Sequence, residues 1–303
     1  MSYPETKKVD TVTNYFGTMV SDPYRWLEDD HSEETKEWVQ AQNKVTFSYL
    51  DRITYRDEIR NRLEELLNYP RMGTPCREGD HYFYFYNDGL QNQNVVYITD
   101  DLDVEGSVFL DPNKFSDDGT IALTTFSVSN DGKYAGYGIS KGGSDWNEFF
   151  VKEIESGNLL DDHLEWIKFS SMAWYKDGFF YNRFDEPSEE DELKGQNLNA
   201  KLCYHKVGTS QVEDEIVFES KENPTWSFRG SVTEDEKYLI ISIVESTSGN
   251  AVYVKDLSDK EAEIIKLVDN FEKDYIFIGN DDHQLFFLTN DDGYQFGGAV
   301  RRK

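Results

Sequence analysis

The 303-residue chain is poor in cysteine and has no long apolar run, and each shortage excludes a class of protein. Its two cysteines, Cys76 and Cys203, lack the spacing of metal ligands and are too few for a disulfide framework. No apolar run approaches the roughly 20 residues that span a bilayer. The opening residues, MSYPETKKVD, lack the apolar core of a secretory signal. We therefore expect a cytoplasmic protein with no membrane partner, and no metal site.

Basic residues are also scarce. Lysine and arginine number 31 against 59 acidic residues, which gives a net charge of −28. A surface of this sign repels phosphate backbones, so we expect no nucleic-acid partner. Aromatic residues make up 15% of the chain, which argues against disorder and favours strands over helices.

The first seventy residues have helical spacing. One helix is predicted over residues 32–50, with Ser32 as its N-cap. A second is predicted over residues 54–68, with Thr54 and Asp57 as a variant of the capping box. The second helix carries an apolar stripe on one face, formed by Ile59, Leu63, Leu66 and Leu67.

From residue 71 on, short runs of aromatic and β-branched residues replace the helical spacing, separated by the Gly, Asn, Asp and Ser of hairpin turns. A turn that carries an aspartate, followed by an apolar strand, recurs along this part of the chain. The aspartates are Asp80, Asp131, Asp177, Asp235 and Asp281. Their separations of 46 to 58 residues, with about four strand candidates in each, are typical of β-propeller blades.

The third repeat is the longest because of an acidic polar insertion, DEPSEEDELKGQNLNA at 185–200, between its second and third strands. A β-sandwich would also contain many short strands, but it would not repeat a turn motif at a fixed long period. The predicted fold class is mainly β, a β-propeller of four-stranded blades preceded by an α-helical N-terminal segment.

Residues 138–142, GISKG, match the G-x-S-x-G pattern of hydrolase nucleophiles and make Ser140 a candidate. A nucleophile elbow needs a strand, a sharp turn and then a helix, whereas a glycine-rich turn and another strand follow here. We therefore place Ser140 in a hairpin loop without a catalytic role. The five histidines have no distinguishing context, and each is predicted to be a surface residue.

Other catalytic and cofactor motifs are missing as well. The acidic turns at 161–163 and 280–282 lack the spacing of an EF-hand, and no phosphate-binding loop occurs. The sequence therefore predicts no catalytic residue, no metal and no cofactor.

Several longer strings of the sequence are distinctive. They include SDPYRWLED (21–29), YFYFYNDGLQNQNVVY (82–97), GSDWNEF (143–149) and KFSSMAW (168–174). In this order they resemble the prolyl oligopeptidase (prolyl endopeptidase) family of serine peptidases. The resemblance is collinear from about Tyr3 to about Asp292. It implies an enzyme that cleaves short peptides after proline, in which a seven-bladed propeller covers an α/β-hydrolase domain with a Ser-His-Asp triad.

The resemblance also implies the domain organisation. Residues 1–70 form the helical segment that packs on the hydrolase domain in this family. Residues 71–292 form blades 1 to 5, about four and a half of the seven, and 293–303 form a tail that does not match. The family's triad belongs to a C-terminal region that this sequence does not contain, so we expect the chain alone to be inactive.

Two site residues come from the resemblance. Phe169 matches a propeller phenylalanine that lines the family's substrate pocket. Asp145 matches an aspartate that pairs with a propeller arginine, but Val244 stands at the arginine's position, so this ion pair is expected to be lost. Ser227 and Thr247 replace a pocket methionine and a pocket cysteine, which changes the expected specificity.

Two alternatives to a peptidase part stay open. The chain could be a non-enzymatic interaction module, in which the acidic loop 185–194 binds a basic partner. It could also be a truncated gene product without independent function. In each case the uncovered sheet edges and helix faces predict that the isolated chain self-associates.

Overall fold

The computed structural model describes residues 2–188, 191–192 and 195–291. The chain divides into two compact units, of which the first ends at Tyr69 and the second begins at Pro70. The predicted tail at 293–303 lies outside the described residues. Within the described ranges, no helix combines the length and the apolar character needed to cross a bilayer.

The N-terminal unit contains a hairpin, one 3₁₀ turn and two helices. These are β1 (Val12–Tyr15), β2 (Thr18–Ser21), the 3₁₀ turn Arg25–Glu28, α1 (Glu33–Leu50) and α2 (Arg56–Leu67). The predicted N-cap of α1 is confirmed, because the Thr35 backbone N–H donates to Ser32 Oγ over 3.2 Å. Glu33 and Glu34 follow in the first turn, where the helix dipole favours acidic residues.

The predicted start of α2 is wrong. The helix begins at Arg56, and its N-cap, Tyr55, makes no side-chain capping bond. Two turn bonds explain the difference, because the Ile53 N–H donates to the Leu50 carbonyl and the Arg56 N–H donates to the Ile53 carbonyl. Thr54 thus lies inside a turn rather than in the extended conformation that a capping residue adopts.

The apolar stripe of α2 is exposed to solvent. Its four side chains are 50–52% exposed, and none of the residues of α2 is buried. They are Ile59, Leu63, Leu66 and Leu67. The helix therefore has the amphipathic pattern of a packed element without an apolar partner among the described residues.

The second unit is built of antiparallel sheets in chain order, which confirms the predicted fold class. Blade 1 contains β3 (Arg71–Met72), β4 (Cys76–Glu78), β5 (His81–Asn87), β6 (Val95–Thr99) and β7 (Ser107–Leu110), with β3 and β4 both paired to β5. Blade 2 contains β8 (Ile121–Val128), β9 (Tyr134–Lys141), β10 (Asn147–Glu153) and β11 (Leu159–Ile167).

The next two blades have the same up-and-down order, and a hairpin follows them. Blade 3 contains β12 (Ala173–Tyr175), β13 (Gly178–Arg183), β14 (Lys201–Lys206) and β15 (Glu215–Glu219). Blade 4 contains β16 (Ser227–Val232), β17 (Tyr238–Val244), β18 (Ala251–Asp256) and β19 (Ile265–Val268). The hairpin of blade 5 contains β20 (Tyr275–Asp281) and β21 (Gln284–Thr289).

In blades 2, 3 and 4 the repeated aspartate lies in the turn between the first and second strands; Asp80 lies between β4 and β5, and Asp281 is the last residue of β20. In blade 2, Asp131 Oδ1 accepts from Ser129 Oγ over 2.8 Å and from the Lys133 N–H over 3.1 Å. In blade 4, Asp235 Oδ1 accepts from Thr233 Oγ1 and from the Lys237 N–H in the same way. In these two blades a short carboxylate satisfies the backbone of a tight turn, which is a reason for aspartate to recur there.

The hydrophobic core lies between successive blades. Phe179 belongs to the cluster shared with blade 2, whereas its neighbour Phe180 belongs to the cluster shared with blade 4. In blade 4, Ile241 likewise belongs to the cluster shared with blade 3, whereas Ile240 belongs to the cluster shared with blade 5. Successive side chains of a strand point to opposite faces of the sheet. A strand whose sheet is covered on both faces by neighbouring blades therefore carries apolar side chains on both faces.

The first turns of blades 1 and 2 touch through their backbones. Gly79 and Gly132 have φ values of 61° and 69°, in the left-handed region. A Cβ on Gly79 would lie 3.1 Å from the Gly132 Cα. Glycine is therefore favoured at this contact, because it adopts the left-handed conformation freely and because a Cβ would force the facing main chain to shift.

Candidate functional site

Phe169 lies in the connection from β11 of blade 2 to β12 of blade 3, and its side chain is 56% exposed. Its φ is 53°, and that of Trp166, three residues earlier, is 59°. Large side chains rarely adopt this left-handed conformation, which costs about 1–2 kcal/mol per residue. Two strained aromatic residues in four positions mark a segment that its surroundings hold in place.

Lys168, between these two residues, is buried. Its Nζ donates to Asn197 Oδ1 over 3.0 Å and lies 3.9 Å from the centroid of the Trp146 ring. Burial lowers the pKa of Lys168, and the nearby Asp145 carboxylate partly opposes that shift. The lysine therefore fixes the connection from its buried side, while Phe169 points outward.

Trp146 joins three loops of this part of the propeller. Its ring packs edge-on against Trp166 at a centroid distance of 5.5 Å, and its Nε1 donates to the Glu192 carbonyl over 2.7 Å. Together with Phe184 and Asn197, it lines a cavity of about 420 Å³ beside the acidic insertion of blade 3. The β9–β10 turn, the Phe169 connection and the insertion therefore form one contiguous site.

The residues that the family resemblance singles out lie in two different parts of the propeller. Asp145 lies beside Trp146 in the β9–β10 turn, where its carbonyl accepts from Asn147 Nδ2 over 2.8 Å. Val244 and Thr247 line a second cavity of about 420 Å³ between blades 4 and 5. Ser227 is the strand partner of Val244. The roles of Phe169 and Asp145 stay predictions.

The second cavity also contains Arg229, which the sequence reasoning missed. Arg229 lies on β16, two residues after Ser227 and therefore on the same face of the strand. That alternation could have identified it. An arginine thus lines the same cavity as Val244, although Val244 itself is apolar.

Ser140 lies in β9, where it pairs with Ala122 of β8 and Asn147 of β10, and is 8% exposed. After the turn the chain enters β10 rather than a helix. The predicted order of a strand, a glycine-rich turn and another strand is confirmed. The predicted loop position is wrong, because the strand extends through Ser140 to Lys141.

The prediction of a surface position is wrong for His205, which is fully buried in β14. Its Nδ1 lies 2.7 Å from Asp214 Oδ1, and its Nε2 lies 2.9 Å from Asp162 Oδ1. Burial alone would lower the pKa of His205, but hydrogen bonds and charge from both aspartates outweigh it and raise the pKa to about 9.

The surroundings of His205 do not provide a nucleophile. The Tyr181 hydroxyl donates to Asp214 Oδ2 over 2.6 Å, and burial raises its pKa. Burial likewise raises the pKa of Cys203 to about 11, so its reactive thiolate is suppressed. Throughout the described ranges, no group of three or more His, Cys, Asp or Glu side chains is arranged to hold a metal ion.

The comparisons agree with this geometry. The family model "Prolyl oligopeptidase, N-terminal beta-propeller domain" matches residues 4–297. The prolyl endopeptidase of Elizabethkingia miricola is 41% identical over 291 residues, which cover 96% of this chain and 41% of that protein. The prolyl endopeptidase of Elizabethkingia meningoseptica is also 41% identical, over 293 residues. The chain thus spans about two fifths of the length of these relatives.

A solved structure gives the same result. Prolyl oligopeptidase B from Galerina marginata, bound to a 35mer hydrolysis and macrocyclization substrate, superposes with a TM-score of 0.84 at 32% identity. The superposition covers 95% of this chain and 44% of that one. With the order of the blades and the match over residues 4–297, these findings show that the chain belongs to the prolyl oligopeptidase family, as its N-terminal propeller region.

Proposed function

We propose that this chain is the propeller part of a serine endopeptidase that cleaves short peptides after proline. The observation that carries the proposal is the family match over residues 4–297, together with relatives that are named prolyl endopeptidases. A structural neighbour that holds a 35mer substrate supports a peptide as the ligand. The propeller would limit access to the reacting groups and exclude water from them.

The catalytic step in this proposal belongs to the family's α/β-hydrolase domain, where serine attacks, histidine acts as the base and aspartate orients it. The exposed stripe of α2 supports a docking role for residues 1–70. Four large aliphatic side chains at half exposure form the kind of face that packs on another domain. Residues 71–292 would then supply the blades.

Phe169 would contact the substrate near its proline. Its exposed ring, held in a strained segment beside the Trp146 cavity, supports this role. Asp145 would stabilise the charged form of Lys168, whose pKa it raises against the effect of burial. It would not pair with an arginine, since Val244 replaces the arginine of the family.

We also place the protein in the cytoplasm, without a nucleic-acid or membrane partner. Cys76 is exposed and Cys203 is buried, and both are free thiols, which suits a reducing compartment. The net charge of −28 opposes binding to phosphate backbones and to anionic membranes. Subcellular fractionation of the tagged protein tests the location.

A chimeric enzyme tests the function. The matching 291-residue region of the Elizabethkingia miricola enzyme is replaced by this chain, and cleavage of a chromogenic proline peptide and of a folded protein is measured. We expect cleavage of the short peptide after proline and none of the folded protein. Phe169→Ala should raise KM several-fold at a similar kcat.

Phe16→Ala is the matched control. Phe16 is also an exposed phenylalanine in the left-handed region, with a φ of 52°, but it lies in the N-terminal hairpin turn. Its replacement should leave KM unchanged. A chimera that fails to cleave the proline peptide while the parent enzyme does so contradicts the proposal, as does labelling of this chain alone by a serine-directed active-site probe.

A further inference from the structure

One residue of the neighbouring blade bonds to the connection on both sides of Phe169, through its side chain and through its backbone. Asn182 lies in β13 and is 1% exposed. Its Nδ2 donates to the Lys168 carbonyl over 3.1 Å, and its backbone N–H donates to Ser170 Oγ over 2.8 Å. One residue therefore contacts both sequence neighbours of Phe169.

We propose that Asn182 is a positioning residue that holds Phe169 in its left-handed conformation and directs the ring toward the peptide substrate. The contact with substrate rests on the proposed function, whereas the positioning concerns this chain alone. The Lys168 carbonyl belongs to the peptide plane that precedes Phe169. Rotation of that plane changes ψ of Lys168 on one side and φ of Phe169 on the other, so a bond that fixes the plane restricts both torsions.

Without the bond from Asn182 Nδ2 to the Lys168 carbonyl, the backbone of Phe169 can return to a negative φ. A left-handed φ costs about 1–2 kcal/mol for a residue with a side chain, so the segment returns to negative φ unless other bonds oppose it. The neighbouring anchor, Lys168 over Trp146, holds the lysine side chain and leaves the peptide plane free to turn. The Asn182 amide acts on the plane itself.

The two polar atoms of the Asn182 side chain differ: Nδ2 donates a hydrogen bond, whereas Oδ1 accepts none among the described residues. In the part of the chain that the structure describes, its buried Oδ1 has no hydrogen-bond partner. An unpaired buried oxygen costs free energy that an apolar side chain of similar size would not. Asparagine is therefore a poor choice for packing at this position, and its contribution is the Nδ2 donor.

A double-mutant cycle on the whole 303-residue chain tests the positioning. Phe169→Gly and Phe169→Ala are compared by urea unfolding, first with Asn182 intact and then combined with Asn182→Leu, which keeps the size and removes the donor. Glycine adopts positive φ without the side-chain penalty. With Asn182 intact, we expect Phe169→Gly to have about a fivefold larger folding equilibrium constant than Phe169→Ala. With Asn182→Leu, the ratio should fall to one or below, because the connection then accepts alanine at negative φ while glycine keeps its larger entropy loss on folding.

Glu236 is the matched control, because its φ is 58° and it lies in the β16–β17 turn, away from Asn182. The ratio between Glu236→Gly and Glu236→Ala should be the same with and without Asn182→Leu. An unchanged ratio at Phe169 on loss of the Asn182 amide would overturn the proposal. Equal stability of the two Phe169 variants in the otherwise unaltered chain would also overturn it.

The chimeric peptidase tests the consequence for substrate. We expect Asn182→Leu to raise KM as much as Phe169→Ala does, with kcat within about twofold, and the double variant to lose nothing further. An unchanged KM would refute the link to substrate. If the chimera with Asn182 and Phe169 intact cleaves no peptide, the proposed function fails, and the unfolding cycle still decides whether Asn182 positions Phe169.

Discussion

The His205 imidazole joins the outer strand of blade 2 to blade 3. Asp162 on β11 accepts from His205 and, over 2.6 Å, from the Gly208 N–H, while Asp214 takes the other ring nitrogen. Asp162 Oδ2 has no hydrogen-bond partner within the described ranges. With a buried acidic side chain at each ring nitrogen, a proton on the ring lets both nitrogens donate, and this stabilises the cluster.

This arrangement predicts that stability falls as pH rises from 6.5 to 9. The pKa of His205 is about 9 in the folded chain against 6.5 for an ordinary histidine. Its contribution is thus complete below pH 6.5 and is lost as pH passes through 9, with a total on the order of 3 kcal/mol. Urea unfolding at pH 6 and pH 9.5 measures the change. The titratable groups that face the imidazole are Asp162, Asp214 and Tyr181.

A histidine at the surface provides the comparison. His163 is stacked on Phe150 and paired with Glu148, but its side chain is 44% exposed. His163→Gln should retain the pH dependence, whereas Asp162→Asn should reduce it. Equal stability at pH 6 and pH 9.5 in the unaltered chain would refute the prediction.

The position of His205 could have been predicted in part from its strand. In KLCYHKV, Cys203 and His205 are two residues apart and therefore share one face, and the cysteine favours burial. The partners could not be predicted, because Asp162 lies 43 residues earlier in another blade. Phe169 was found through the resemblance, whereas the strain in its backbone has no signal in the sequence.

Helix capping differs between the two helices of the N-terminal unit. We predict that Ser32→Ala lowers the free energy of unfolding of this unit by about 1 kcal/mol, because the hydroxyl satisfies the Thr35 N–H at the start of α1. Thr54→Ala should change it by less than about 0.5 kcal/mol, since Thr54 caps nothing. Urea unfolding followed by far-UV circular dichroism measures both. Equal losses for the two variants would contradict this assignment.

These two positions show why element boundaries are harder to predict than elements. Ser32 and Thr54 are both hydroxyl residues at the start of a helical pattern, so the sequence does not distinguish them. The difference arises from the short link after α1, where consecutive turn bonds determine the backbone of residues 52–56. In the sheets, the turns at Asp131 and Asp235 are confirmed, because each depends on contacts within a few residues.

The whole chain exposes apolar surface that a stable monomer would cover. We predict that it self-associates at micromolar concentration through the stripe of α2, and that Leu63→Gln with Leu66→Gln lowers the average mass measured by light scattering. Added salt should increase the association, because it screens the repulsion between chains of net charge −28.

Asn61→Gln is the control for this prediction, because it is an uncharged change at an exposed position of the same helix. It should leave the average mass unchanged. A monodisperse monomer of the unaltered chain would contradict the prediction, and association that persists in the double leucine variant would point to the strand edges of blade 5.

The blade architecture was predictable at the scale of the molecule because the repeat depends on local chemistry. Each repeat contains an aspartate followed by strands with apolar residues, so the spacing of the repeats can be read from the sequence. Contacts between blades are not periodic. Gln93 of blade 1 bonds to Ile121 and Leu123 of blade 2, whereas Tyr175 of blade 3 donates to the Leu257 carbonyl of blade 4.

The meeting of Gly79 and Gly132 has a consequence for how the propeller can vary. The two turns touch through bare main chain, so any larger residue at either position would act as a wedge and spread blades 1 and 2 apart on that side. A side chain at either position would also meet a left-handed backbone, so a substitution that separates these blades costs stability as well. The spacing of blades 1 and 2 at this contact is therefore set by main chain alone, with no side chain through which it could be tuned.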